Sequence, residues 1–250
     1  NTPQLQLGKE VRSIEDVLKQ STYRDRFELI GQWAVRTSDL SQAILDHKPE
    51  IVHFSGHGQG TPTGKGDRSP VDHSRDVGLE SDPSPLVHEG LVLEDDQGRA
   101  KLVSTSALAG LFELFQNEVR CQNKVKCVVL NFCYSETQAA AIHQHIDCVV
   151  GMNKAIGDLA AIQFATEFYK ALATGRSIEF AYHFAQKSLD LDSIPESLTP
   201  VLRNRRGTED PFHITALDWL SDGKTIELQI QHSQKWLDGR TGDGTVGLAD

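Results

Sequence analysis

Two short stretches carry side chains able to do covalent chemistry. Ile51-Val-His-Phe-Ser-Gly-His57-Gly58 and Val128-Val-Leu-Asn-Phe-Cys133-Tyr-Ser135 are apolar runs, too short for free-standing helices, that break into small polar clusters. A thiol and an imidazole can form an acyl-transfer pair, with the thiolate as nucleophile and the ring taking its proton. Gly56 and Gly58 leave the backbone beside His57 open to close approach by a substrate. The Gly58 N–H, with the Cys133 N–H as partner, would meet a developing oxyanion. On pattern alone two bland readings stay open: Ser-Gly-His-Gly after a strand is a common turn, and a strand cysteine is commonly core.

Such chemistry needs a scaffold that brings both runs to one edge. Buried parallel strands deliver residues to the carboxyl edge of an α/β sheet, where ligands bind. The spacing predicts a helix over 7–20, with Leu7, Val11, Ile14, Val17 and Leu18 on one face. A strand over 27–35 follows, then a helix capped by Ser38 and ended by Pro49, then the His57 strand. Residues 59–89 lose all apolar period, as an insertion loop would. A hairpin at 90–103 precedes a helix capped by Ser104 or Ser106, the Cys133 strand and a helix from Ser135 to His145. Cys148-Val-Val-Gly-Met reads as a strand, with helices from Asp158 and Ser177 and a short strand at Thr199 completing an alternating α/β order. The expected organisation is one domain over 1–203, with 204–250 an extension that is either regulatory or a short appended hairpin or strand.

Composition narrows the function classes. A formal charge of -10 and a pI near 5.4 disfavour a nucleic-acid partner, which needs clustered Lys and Arg. No apolar run approaches the length of a membrane span, and no leader pattern opens the chain. The first residue is Asn1, so the segment is read as a fragment, processed product or trimmed chain. Cys121, Cys127, Cys133 and Cys148 lack a Cys-x-x-Cys and are expected as free thiols in a cytoplasmic protein, with neither metal nor cofactor. His53, on the strand face of Ser55, is expected as a core or supporting histidine. His143 and His145 do not share a helix face as ligands would.

The two motifs resemble those of CHAT-domain proteases, the bacterial branch of the caspase-like clan CD cysteine peptidases. Glu10-Val-Arg-Ser-Ile-Glu, Gly90-Leu-Val-Leu-Glu-Asp, Leu102-Val-Ser-Thr-Ser-Ala-Leu, Gly151-Met-Asn-Lys-Ala-Ile-Gly-Asp158 and Gly175-Arg-Ser-Ile-Glu-Phe-Ala-Tyr182 are similar to that family in the same order, over roughly residues 3 to 203. The resemblance implies a caspase-like three-layer α/β sandwich with a mostly parallel sheet, lacking the family's first strand. It implies a cysteine endopeptidase acting on protein substrates, with His57 as base and acid, Cys133 as nucleophile, and Gly58 and Cys133 N–H groups as oxyanion hole. An activating protein or a fused sensor region is the implied partner.

Departures from the family pattern fall beside the nucleophile. Phe132 stands where Ala is common and is expected to reshape the substrate pocket. The position matching the separase pocket acid is Ala155, which leaves Asp158 as the nearest carboxylate for that pocket, although it is equally placed to cap its helix. The insertion after His57 is longer than usual and is expected to act as a lid or a cleavage site. The competing reading is a non-proteolytic caspase-like module that binds partners and signals by changing shape.

Overall fold

The structure, a computed structural model, describes residues 7–56, 58–59, 90–117, 125–205 and 226–232. His57, Cys121, Trp219 and residues 60–89 of the expected insertion lie outside the described residues. Helix α1 (Leu7–Gln20) buries Leu7, Glu10, Ile14 and Leu18, a stripe at helical spacing. Strand β1 (Phe27–Trp33) leads to α2 (Thr37–His47), whose first turn is closed by the Asp39 carboxylate accepting the Arg36 N–H at 3.0 Å, not by Ser38. Lys48 ends α2 in the left-handed region, one residue ahead of Pro49.

Strands β2 (Ile51–Ser55) and β3 (Gly58–Gln59) follow, then β4 (Gly90–Glu94), β5 (Ala100–Ser104) and α3 (Thr105–Asn117). Beyond them come β6 (Cys127–Asn131), α4 (Glu136–Ile142), β7 (Cys148–Met152), α5 (Asp158–Leu172), α6 (Ile178–Leu191), β8 (Pro200–Asn204) and β9 (Ile226–His232). The main sheet has the order β1-β9-β2-β6-β7-β8 and is parallel except for β8, while β3, β4 and β5 form a small antiparallel sheet. The expected mostly parallel sheet is therefore observed. Ile226–His232 is a strand inside that sheet, between β1 and β2.

Helices cover both faces, which makes three layers. Ile51, Cys127, Val129, Cys148, Val150 and Met152 meet α1, α5 and α6 in one apolar cluster. Val52, Phe54, Val128, Leu130 and Val149 meet α2, α3 and α4 in the other. Successive strand residues alternate between the clusters, as the period of two requires. Strands buried on both faces lose the amphipathic pattern, so these segments read as unbroken apolar runs.

Candidate active site

The Cys133 strand ends at Asn131, and the chain then turns through Phe132, Cys133 and Tyr134 before α4. In the parallel register Asn131 pairs with Ser55. Cys133 lies two residues past the first and His57 two residues past the second. Both chains therefore leave the sheet side by side at its carboxyl edge, neighbouring strands being about 4.8 Å apart. Cys133 itself is half-buried.

Local geometry beside the thiol is strained. Tyr134 sits at φ 57°, a left-handed conformation that costs a bulky residue on the order of 1–3 kcal/mol. Three hydrogen bonds hold the turn there. The Ser135 hydroxyl donates to Leu130 O and accepts the Met152 N–H, each at 2.8 Å, and Tyr134 N–H donates to Lys154 O at 3.2 Å. Gly151 permits this close approach, since a Cβ there would stand 2.7 Å from Ala139 Cβ and 3.1 Å from Ser135 O.

The thiol faces the loop between β7 and α5. Ile156 N–H points at Cys133 Sγ at 3.5 Å, and Ile156 O lies 3.7 Å from the same sulfur. The sulfur thus sits between the backbone donor and the backbone acceptor of one residue, its thiol donating to Ile156 O. The helix after Cys133 was expected to run to His145; it ends at Ile142 and has seven residues, because His143, Gln144 and His145 turn tightly back toward α4 carbonyls. Its dipole is correspondingly short. Glu136, in the first turn of α4, accepts from Arg203 Nη2 at 3.0 Å.

The other expected site residues have the following places. Phe132 is 2% exposed and packs into the α2–α3–α4 core, which places its ring inward. Ala155 is exposed on the loop that carries Ile156, and Asp158, at the start of α5, is half-buried. Asp158 does not occupy the capping position: Gly157 is the N-cap of α5, and Asp158 is its first helical residue. Gly58 pairs with Leu91 in the small sheet. Cys127 and Cys148 are buried strand residues in register with each other, as expected of core thiols.

Directly beneath these strand ends lies a buried polar network centred on His53, the expected core or supporting histidine. His53 Nδ1 is 2.9 Å from the Tyr169 hydroxyl; its Nε2 is 3.1 Å from Glu10 Oε1 and 2.9 Å from Ser55 Oγ. Asn131 Nδ2 donates to Glu10 Oε1 at 2.6 Å and to Ala161 O at 3.1 Å. Burial pushes the Tyr169 phenol well above its ordinary range, so its hydroxyl keeps its hydrogen. The available signal was Glu10 itself, a carboxylate in the buried stripe of α1.

The CHAT domain family model matches residues 6–236. A protein named Roc-COR-CHAT protease, from an unknown prokaryotic organism, is 24% identical over 192 residues. That match takes in 76% of this chain and 16% of the relative's length.

Proposed function

From the premise that this chain belongs to the CHAT-domain family, we propose that it is a caspase-like cysteine endopeptidase. The observation that carries this reading is the Cys133 thiol, half-buried at the carboxyl edge of a parallel sheet with the Ile156 N–H on its sulfur. In this reading His57 takes the thiol proton, and Sγ attacks the carbonyl carbon of the scissile peptide. The carbonyl oxygen becomes an oxyanion that accepts from the Gly58 and Cys133 N–H groups. Collapse breaks the C–N bond, His57 returns the proton to the leaving amine, and the acyl group stays on sulfur. Water, deprotonated by His57, then releases the acid and regenerates the thiol.

The substrate side chain before the cut would meet the 153–158 loop, where Ala155 is exposed and Asp158 supplies a half-buried carboxylate. An activating partner or fused sensor region is supported by the relative's name, which joins Roc and COR to CHAT. Among the described residues no helix is long and apolar enough to cross a membrane. The cytoplasm is the proposed location, because Cys127, Cys133 and Cys148 are thiols rather than halves of a disulfide.

Intact mass spectrometry after exposure to peptidyl chloromethyl ketones tests the reading, with a peptide library alongside. The wild type should gain one adduct and cut the library. Cys133→Ala should gain none and lose turnover by roughly four orders of magnitude or more. A folded wild type that takes no adduct under any condition, including with its activating partner, would replace this reading with the non-proteolytic binding module.

A further inference from the structure

Five buried polar side chains gather on one face of the main sheet, under the strand ends that carry the proposed dyad. Elsewhere on that face β2, β6 and β7 present Ile51, Cys127, Val129, Cys148, Val150 and Met152. At the carboxyl edge the same positions become His53, Ser55 and Asn131, joined by Glu10 from α1 and Tyr169 from α5. All five are 3% exposed or less. Such a network is a poor source of stability, because well-packed apolar residues of similar volume do as well or better. Asn131 Oδ1 has no partner among the described residues, which adds a desolvation cost at this very place.

The contacts converge on one atom. One oxygen, Glu10 Oε1, accepts from Asn131 Nδ2 of β6 and lies 3.1 Å from His53 Nε2 of β2, so a single atom joins the two strand ends. Asn131 also reaches Ala161 O, and Ala161 N–H donates to Gly157 O at 2.9 Å. Gly157 follows Ile156, whose N–H lies on the sulfur. A closed path thus runs from the Cys133 turn through Asn131 and the first turn of α5 back to Cys133 Sγ. On the other strand, His53 links Ser55, two residues before His57, to the Tyr169 hydroxyl.

We propose that Glu10, His53, Ser55, Asn131 and Tyr169 are positioning residues. Together they set the spacing of the β2 and β6 ends and hold the Ile156 N–H on Cys133 Sγ. The inference rests on the endopeptidase reading for its kinetic consequence, but its geometric core concerns the thiol alone. A displacement of about 1 Å at a reacting atom can cost on the order of a hundredfold in rate.

The test compares Asn131→Leu, Glu10→Leu and Glu10→Gln in the full chain, after circular dichroism has verified the fold. Two rates are read: peptide cleavage, separated into kcat and KM, and alkylation of Cys133 by iodoacetamide, located by peptide mapping. Both leucine variants should lose about 10- to 100-fold in kcat with KM within about threefold, and alkylate about tenfold more slowly. Glu10→Gln keeps an acceptor oxygen for Asn131 and should restore both rates to within a few-fold. If a leucine variant does not fold, Ser55→Ala trims one hydroxyl at the edge of the network and takes its place.

Folded leucine variants with wild-type kcat and alkylation would overturn the positioning role while leaving the endopeptidase reading intact. Equal loss in Glu10→Gln and Glu10→Leu would overturn it as well. A wild type that cleaves nothing, yet shows slowed alkylation in the leucine variants and rescue by Glu10→Gln, would support the positioning role and defeat the endopeptidase reading instead.

Discussion

On the α1–α5–α6 face, β2 and β6 present Ile51, His53 and Ser55 beside Cys127, Val129 and Asn131; on the α2–α3–α4 face the same strands present Val52 and Phe54 beside Val128 and Leu130. Both sets are buried, and they come from alternate residues of the same ten. One is apolar throughout, while the other turns polar over its last residues. A sheet whose ends must hold reactive groups in register can place directional bonds under those ends and leave the second face to non-directional packing. Hydrogen bonds fix positions to a few tenths of an ångström, whereas apolar burial sets mainly the strength of the association.

That contrast breaks most visibly in the apolar layer. Phe112 is fully buried on α3 and meets Phe54 edge to face, with ring centroids 6.4 Å apart. Phe112→Ala should cost about 3–5 kcal/mol in denaturant unfolding. At temperatures where it stays folded, its Cys133 alkylation rate should match the wild type. A change in that rate as large as in Asn131→Leu would erase the distinction between the faces.

Gly151 sharpens the comparison, because it lies on the apolar face but at the carboxyl end. Its new Cβ in Gly151→Ala would collide with Ala139 and press on Ser135 O, beside the strained Tyr134. Overpacking of this kind costs about 1–3 kcal/mol. Here, unlike Phe112→Ala, Cys133 alkylation should slow along with the loss of stability. Equal alkylation rates in Gly151→Ala and wild type would show that the turn absorbs the collision without moving the thiol.

The smallest effect is the one on pH dependence. Burial raises the Tyr169 phenol well above its ordinary 10.0 in the fold, so the folded chain holds that proton more tightly than the unfolded chain does. Its contribution is complete below about pH 10 and is lost as pH rises through the folded value. Tyr169→Phe should flatten the fall in stability above pH 10, leaving the part due to Tyr182, whose phenol burial also raises. At neutral pH it should cost about 1 kcal/mol through the lost bond to His53. Alkaline unfolding curves that superimpose for the two proteins would contradict this assignment.

Elements with a strong local period were legible in the chain. The stripe of α1, the apolar runs of β2, β6 and β7, and Ser177, which accepts the Phe180 N–H at the start of α6, all carry their signals within a few residues. Ends decided by competition were not. Asp39 closes the first turn of α2 where Ser38 was expected, and Gly157 takes the cap position beside Asp158. Adjacent residues with similar propensity are separated only by the angle at which the chain enters the helix. The expected role of Phe132 in the pocket met a similar limit: its type marks it as bulky, but only the turn after β6 directs it into the core.

Sequence alone determined which segments are strands buried on both faces, which helices alternate with them, and which two motifs end at a carboxyl edge. Those properties follow from hydrophobic periods of two and 3.6 and from polar residues that break them. Tertiary structure decided the rest: that β9 enters between β1 and β2, that Ile156, 23 residues from Cys133, supplies the amide on its sulfur, and that Glu10 meets Asn131 across 121 residues of chain. The physical reason is that a hydrogen bond between distant residues leaves no periodic trace. Its partners become neighbours only after strand register and helix packing have been set by the apolar residues around them.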